Sequence, residues 1–106
     1  MTPPDSAKIC FAVDHPTAAG HFPGNPIIPG AVLLDEVLRA VAASAGRPTA
    51  PATIRSAKFL RPVRPGDRML IRWELLPNGE TRFECRLPDP AGPVLTGTLA
   101  LGEAAR

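Results

Sequence analysis

The stretch His21-Phe-Pro-Gly-Asn-Pro-Ile-Ile-Pro-Gly30, running on into Ala31-Val-Leu-Leu-Asp-Glu-Val-Leu-Arg-Ala-Val-Ala-Ala-Ser-Ala45, decides how this chain is read. The part before residue 30 cannot be regular structure. Pro16, Pro23, Pro26 and Pro29, with Gly20, Gly24 and Gly30, make residues 15–30 a stiff loop with sharp bends. From Ala31 the pattern turns helical, with Val32, Leu33, Leu34, Val37, Leu38, Val41 and Ala45 recurring at three- and four-residue spacing. Gly46 and then Arg47-Pro48 end it, as a left-handed cap and a helix breaker. The spacing predicts one helix of about fifteen residues, with an apolar band wide enough for a core element.

Outward from that helix the chain reads as strands. Lys8 to Asp14 alternates, with Ile9, Phe11 and Val13 on one face. After a linker from Pro48 to Ala52, residues 53–60 read as a strand and Arg61-Pro-Val-Arg-Pro-Gly66 as a turn. Arg68 to Leu76 places Met69, Ile71, Trp73 and Leu75 on one side. Asn78-Gly79 signals a two-residue hairpin. Thr81 to Leu87 follows, then a turn over Pro88 to Gly92 and a last strand from Val94 to Leu101. One strand, one helix and a four-strand meander make an α+β layout. A lone apolar helix is covered only if the antiparallel sheet curls around it, which leaves an outer face or edge of the sheet to seek a partner subunit.

Bulk properties bound the rest. The 106 residues are expected to form one domain over 1–106. Fourteen prolines far exceed an average near ~5%, yet a 44% hydrophobic content and a net charge of +2 do not fit a disordered chain. The prolines therefore punctuate a fold. No apolar run nears the ~20 residues that span a bilayer, and the N-terminus lacks a basic patch followed by an apolar stretch. Cys10 and Cys85, far from any CxxC pattern, read as reduced, packed thiols, and a cytoplasmic location is expected. Two histidines without a cysteine cluster give no convincing metal site. Residues 37–72 hold eight basic side chains against the single acid Asp67, which suggests an anionic partner or simply a solvated arginine-rich face. One Trp, four Phe and no Tyr leave no interleaved stacking aromatics, against nucleic acid.

Chemistry concentrates where the loop meets the helix. The first N–H groups of a helix lack intrahelical partners and carry partial positive charge. Gly30 has no Cβ, which lets a ligand oxygen approach its N–H and equally serves the loop-to-helix bend alone. His21 is a candidate base, though a loop histidine can equally bond backbone carbonyls. Asp35 is a candidate acid just over one turn in, where apolar surroundings would raise its pKa. Asp35 and Glu36 can instead pair with Arg39 at i+4 and i+3. Base, oxyanion donor and acid together suit enolising a thioester and expelling a β-hydroxyl.

His-Phe-Pro-Gly-x-Pro-x-x-Pro-Gly, then an acid five residues after the last glycine, resembles the hotdog-fold β-hydroxyacyl-acyl carrier protein dehydratases. Lys58-Phe-Leu-Arg-Pro-Val-Arg-Pro-Gly-Asp67 is similar to that family's turn after its second strand, and the likeness runs over about residues 8–102. The loop with Leu33-Leu-Asp-Glu-Val37 looks closest to the short dehydratases of aryl-polyene pathways. The resemblance implies a single hotdog domain, an antiparallel sheet around one long central helix, and dehydration of a 3-hydroxyacyl thioester to the trans-2-enoyl thioester. It implies that His21 is the catalytic histidine and Asp35 the catalytic acid, with Glu36 second, about 100° away around the helix. Gly30 falls on the oxyanion donor, and Phe22, Ala31, Leu34 and Phe59 on the surroundings of the acyl chain. It further implies no cofactor beyond the phosphopantetheine arm of an acyl carrier protein, with Arg61, Arg64 and Arg68 as contacts for that carrier or as ordinary strand-end arginines. A homodimer is expected, with the histidine of one subunit facing the acid of the other. The chain is shorter than typical members, mainly at the N-terminus. A hotdog thioesterase and a non-catalytic carrier-binding homologue are the rival readings.

Overall fold

The computed structural model describes residues 5–11, 27–46 and 51–102. The elements are β1 (Ser6–Cys10), α1 (Gly30–Ala45), β2 (Ala52–Phe59), β3 (Arg68–Leu75), β4 (Thr81–Pro88) and β5 (Ala91–Leu101). α1 starts one residue before the expected helix and ends where it was expected, with Gly46 in the left-handed conformation at φ 66°. Its buried residues are Leu33, Val37, Val41 and Ala42. They lie against an inner sheet face that presents Met69, Ile71, Phe83, Cys85, Leu95 and Leu99, all buried. Burying side chains of this size is worth roughly 1.5–3 kcal/mol each, and that term holds helix to sheet. No helix among the described residues is long and apolar enough to cross a membrane.

The sheet is antiparallel in the order β1-β3-β4-β5-β2. This corrects the expected four-strand meander: β3, β4 and β5 form a meander, but β2 pairs with β5 at the far edge. The link from Leu60 to Asp67 therefore has to cross from one edge towards the other. It does so as part of the core, because Val63 is fully buried and its carbonyl accepts the Ile28 N–H at 2.7 Å. Further on, Gly66 N–H donates to the Phe11 carbonyl and Phe11 N–H to the Asp67 carbonyl. Phe11 thus leaves the ladder, and β1 runs two residues earlier than the expected start, stopping at Cys10; the expected continuation over 12–14 lies outside the described residues.

Two further expectations are corrected locally. Leu75 keeps the expected face but is 75% exposed, since it sits at the hairpin end of β3. The hairpin there is a three-residue loop, Pro77-Asn78-Gly79, and not a two-residue one. Leu76 N–H donates to the Glu80 carbonyl and Gly79 N–H to the Leu76 carbonyl. Pro77 favours the second position of a type I turn, and Gly79 at φ 87° supplies the left-handed residue that completes such a loop. At the other hairpin Pro88 pairs with Ala91, so β5 begins three residues earlier than expected.

Close packing of the sheet is tightest at Gly97, which pairs with Ala57 on β2 and Phe83 on β4. A Cβ there would meet the Ser56 carbonyl oxygen and, at 2.7 Å, Phe83 Cζ. A Cβ there forces the β2 backbone and the Phe83 ring to shift, so Gly97→Ala is expected to destabilise by about 1–3 kcal/mol. A melt should show Tm falling by roughly 5–20 °C. The two thiols lie on opposite sheet faces, Cys10 exposed and Cys85 buried. Burial, with the neighbouring Glu84 charge adding to it, pushes the Cys85 thiol up to about 12. A thiol that ionises more easily unfolded than folded favours the folded state less as pH rises, so stability from this group declines from about pH 9 towards 12. An aromatic disulfide reagent at neutral pH should titrate Cys10 at once and Cys85 only after denaturation.

Candidate active site

The residue before α1, its N-cap Pro29, has φ −58° and ψ 144° and offers no side chain to cap the helix. Its carbonyl accepts the N–H groups of Val32 at 3.0 Å and Leu33 at 3.3 Å. The N–H groups of Gly30 and Ala31 have no intrahelical carbonyl to reach, and no acidic side chain lies in the first turn. Among the described residues no side chain caps this terminus, and its partial positive charge faces a ligand.

That terminus opens on a cleft of about 500 Å³ lined by Ile27, Ile28, Gly30, Leu33 and Phe59 through Val63. Phe59 is half exposed, and its ring lies over Gly30 so closely that a Cβ there would come within 2.8 Å of Cε1 and Cζ. A side chain at position 30 would have to push the Phe59 ring aside. The cleft is mostly apolar at its floor, with helix amides at its head: a shape for an acyl chain ending in a polarised carbonyl. Sequence reasoning brought Gly30 and Phe59 together but missed Ile27, Ile28, Leu60, Pro62 and Val63. Their signal was the Pro- and Gly-rich link, which packs beside Ile27 and Ile28 just before the helix.

The other candidates fall elsewhere. His21 and Phe22 lie outside the described residues. Ala31, Asp35 and Arg39 form the outward stripe of α1, all exposed. Asp35 is not held in apolar surroundings as expected: its side chain is 52% exposed and its Oδ2 accepts Arg39 Nε at 2.7 Å. The reason is angular, since Asp35 is 200° around the helix from buried Leu33. The same hydrogen bond and charge raise the Arg39 pKa above its ordinary value. Glu36 and Leu34 are half-buried to either side, with Leu34 packed against the core. Among the described residues no three or more His, Cys, Asp or Glu gather as metal ligands.

The three arginines do not form one patch. Arg61 is half-buried, its Nε has no partner, and its Nη2 donates to the Pro90 carbonyl at 2.8 Å, tying the β2–β3 link to the β4–β5 turn. Arg64 is exposed in the link, its backbone N–H bonded to Asp67 Oδ2. Arg68 is exposed at the start of β3.

Comparison with known proteins gives this geometry a family. A 3-hydroxyacyl-[acyl-carrier-protein] dehydratase FabZ of Brucella melitensis is 42% identical over 67 residues, 56% of this chain and 43% of that protein. The FabZ of Sodalis glossinidius is 39% identical over 83 residues, 67% of this chain and 54% of its own length. The chain thus spans about half the length of the curated relatives it matches. Among solved structures, the dehydratase heterocomplex ApeI:P from Xenorhabdus doucetiae superposes with a TM-score of 0.75 at 19% identity, covering 97% of this chain and 92% of that one. That likeness establishes the hotdog fold. The profile of ApeI-like proteins, described as ApeI dehydratase, matches residues 5–97, and the chain belongs to that family.

Proposed function

We propose that this chain removes water from a 3-hydroxyacyl thioester carried by an acyl carrier protein, giving the trans-2-enoyl thioester. The observation that carries the reading is the uncapped N-terminus of α1, with Gly30 under Phe59 at the head of an apolar cleft, in a chain of the ApeI-like dehydratase family. The thioester carbonyl accepts the Gly30 N–H, and charge that develops on its oxygen is met by the helix terminus. As the neutral imidazole, His21 takes a C2 proton. The C2–H electron pair becomes the C2=C3 bond, the C3–O bond breaks, and Asp35 gives a proton to the departing hydroxyl, directly or through water. Proton transfer from the imidazolium back to the carboxylate restores both groups.

Asp35 lies on the outward stripe of α1 and not in the cleft of its own protomer. This supports a dimer in which the acid of one protomer serves the cleft of the other. The inner-face residues Ala57 and Phe59 on edge strand β2 are exposed, and Leu60 is 41% exposed beside them, which gives a partner an edge to cover. A second copy is the proposed partner; the ApeI:P neighbour, a heterocomplex, favours a second, different subunit as the alternative reading. The carrier protein delivers substrate, with exposed Arg64 and Arg68 as its proposed contacts and Arg61 as the brace behind them. A hotdog thioesterase is not favoured, because the curated relatives are dehydratases.

With a 3-hydroxyacyl thioester, enoyl absorbance should appear without release of free thiol; thiol release without enoyl absorbance would overturn the reading. His21→Ala and Asp35→Asn are each expected to lower kcat by about 10²–10⁴. Unchanged turnover in either would return the chain to a non-catalytic carrier-binding role. Mixing these two inactive variants under subunit exchange should recover about a quarter of wild-type activity, since half the chains pair as hybrids and each hybrid holds one intact site. Gly30→Ala keeps the N–H but displaces the Phe59 ring, and kcat/KM should fall by about 10² for a misplacement near 1 Å.

A further inference from the structure

The face of the sheet turned away from α1 carries an arrangement of which only Arg68, as a carrier contact, enters the proposed dehydration. Leu70, half-buried on β3, pairs with Lys8 on β1 to one side and with Arg86 on β4 to the other. Arg68 and Arg72 stand two residues before and after it on the same strand and the same face. Four cations therefore ring one apolar side chain, about 5 Å away across the strands and about 7 Å along them. These five residues line one groove of about 520 Å³, whose rim includes Cys10, Pro88 and Ala91. No carboxylate lines it among the described residues. Glu84 stands opposite Arg72 in register and pairs with Arg86 at 3.2 Å, Glu74 pairs with Arg82, and both line with Asp5 the adjoining hollow that shares Leu70 and Arg72.

We propose that this groove docks an acidic amphipathic segment of a partner polypeptide, with an apolar side chain seated on Leu70 and carboxylates over Lys8, Arg68, Arg72 and Arg86. Charge complementarity selects this occupant. A single phosphate needs donors converging within hydrogen-bond distance of one point, whereas these cations surround an apolar centre. Single-stranded nucleic acid needs aromatic platforms, and the aromatic residues of β3 and β4, Trp73 and Phe83, belong to the inner face. A second copy related by a two-fold axis would set four cations against four. The groove lies on the opposite side of the sheet from the core that carries the α1 cleft, so binding there does not depend on the catalytic reading.

The test uses the full chain and a fluorescein-labelled synthetic peptide of glutamate and leucine at helical spacing, read by fluorescence anisotropy. Binding is expected at low ionic strength, weakening as salt approaches ~0.15 M. Arg68→Glu with Arg72→Glu should weaken it at least tenfold, and Leu70→Ala severalfold with the salt slope unchanged. If the charge-reversed double variant fails a far-UV melt, Arg68→Gln with Arg72→Gln replaces it. His21→Ala should bind the peptide as wild type does, and Leu70→Ala should turn over a small soluble thioester as wild type does; loss of catalysis alone thus leaves the docking surface standing. Undiminished peptide binding in the arginine variants would overturn the proposal. So would stronger binding of phosphatidylglycerol vesicles or an oligonucleotide than of the peptide.

Discussion

Everything in this protomer depends on covering one side of one helix. Leu33, Val37 and Val41 form a stripe that isolated helices cannot keep out of water, and the inner sheet face is the apolar surface available to it. Once that stripe is buried, the helix rotation is settled. Residues two positions away from it, Asp35 among them, must face outward. The position of the candidate acid is thus a consequence of core packing rather than of local chemistry.

The link between β2 and β3 is the second constraint. It must carry the chain from the β5 side of the sheet back to the β1 side, and it does so with a buried Val63 and backbone bonds to Ile28 and Phe11. Those bonds satisfy polar groups that the crossing would otherwise bury unpaired. They also fasten the segment before α1 to the segment after β2, which is how Phe59 comes to lie over Gly30. Arg61 braces the same link from behind through the Pro90 carbonyl. The cleft is the space these fastenings leave at the head of the helix.

The two faces of the sheet divide the work. The inner face is apolar and meets the helix; the outer face is charged, with the Glu74–Arg82 and Glu84–Arg86 pairs towards one end and Lys8, Arg68 and Arg72, with Arg86, around Leu70. Exposed pairs of this kind contribute little to stability, so their value lies in what the surface attracts and repels.

Much was legible in the sequence because it is periodic or punctuated. The three- and four-residue spacing over 31–45 defined the helix, alternation defined β3 and β4, and the loop motif ending at Gly30 pointed to the family. The same spacing, read from Leu33, would also have placed Asp35 outward. Pairing order was not legible, because alternation says which face a residue takes and not which strand lies beside it. The placement of β2 against β5, the cleft under Phe59 and the cation ring around Leu70 all join residues far apart in the chain. Local pattern determined the elements and the identity of the loop; only the tertiary structure decided their neighbours, because long-range pairing is chosen by how the whole apolar surface closes at once.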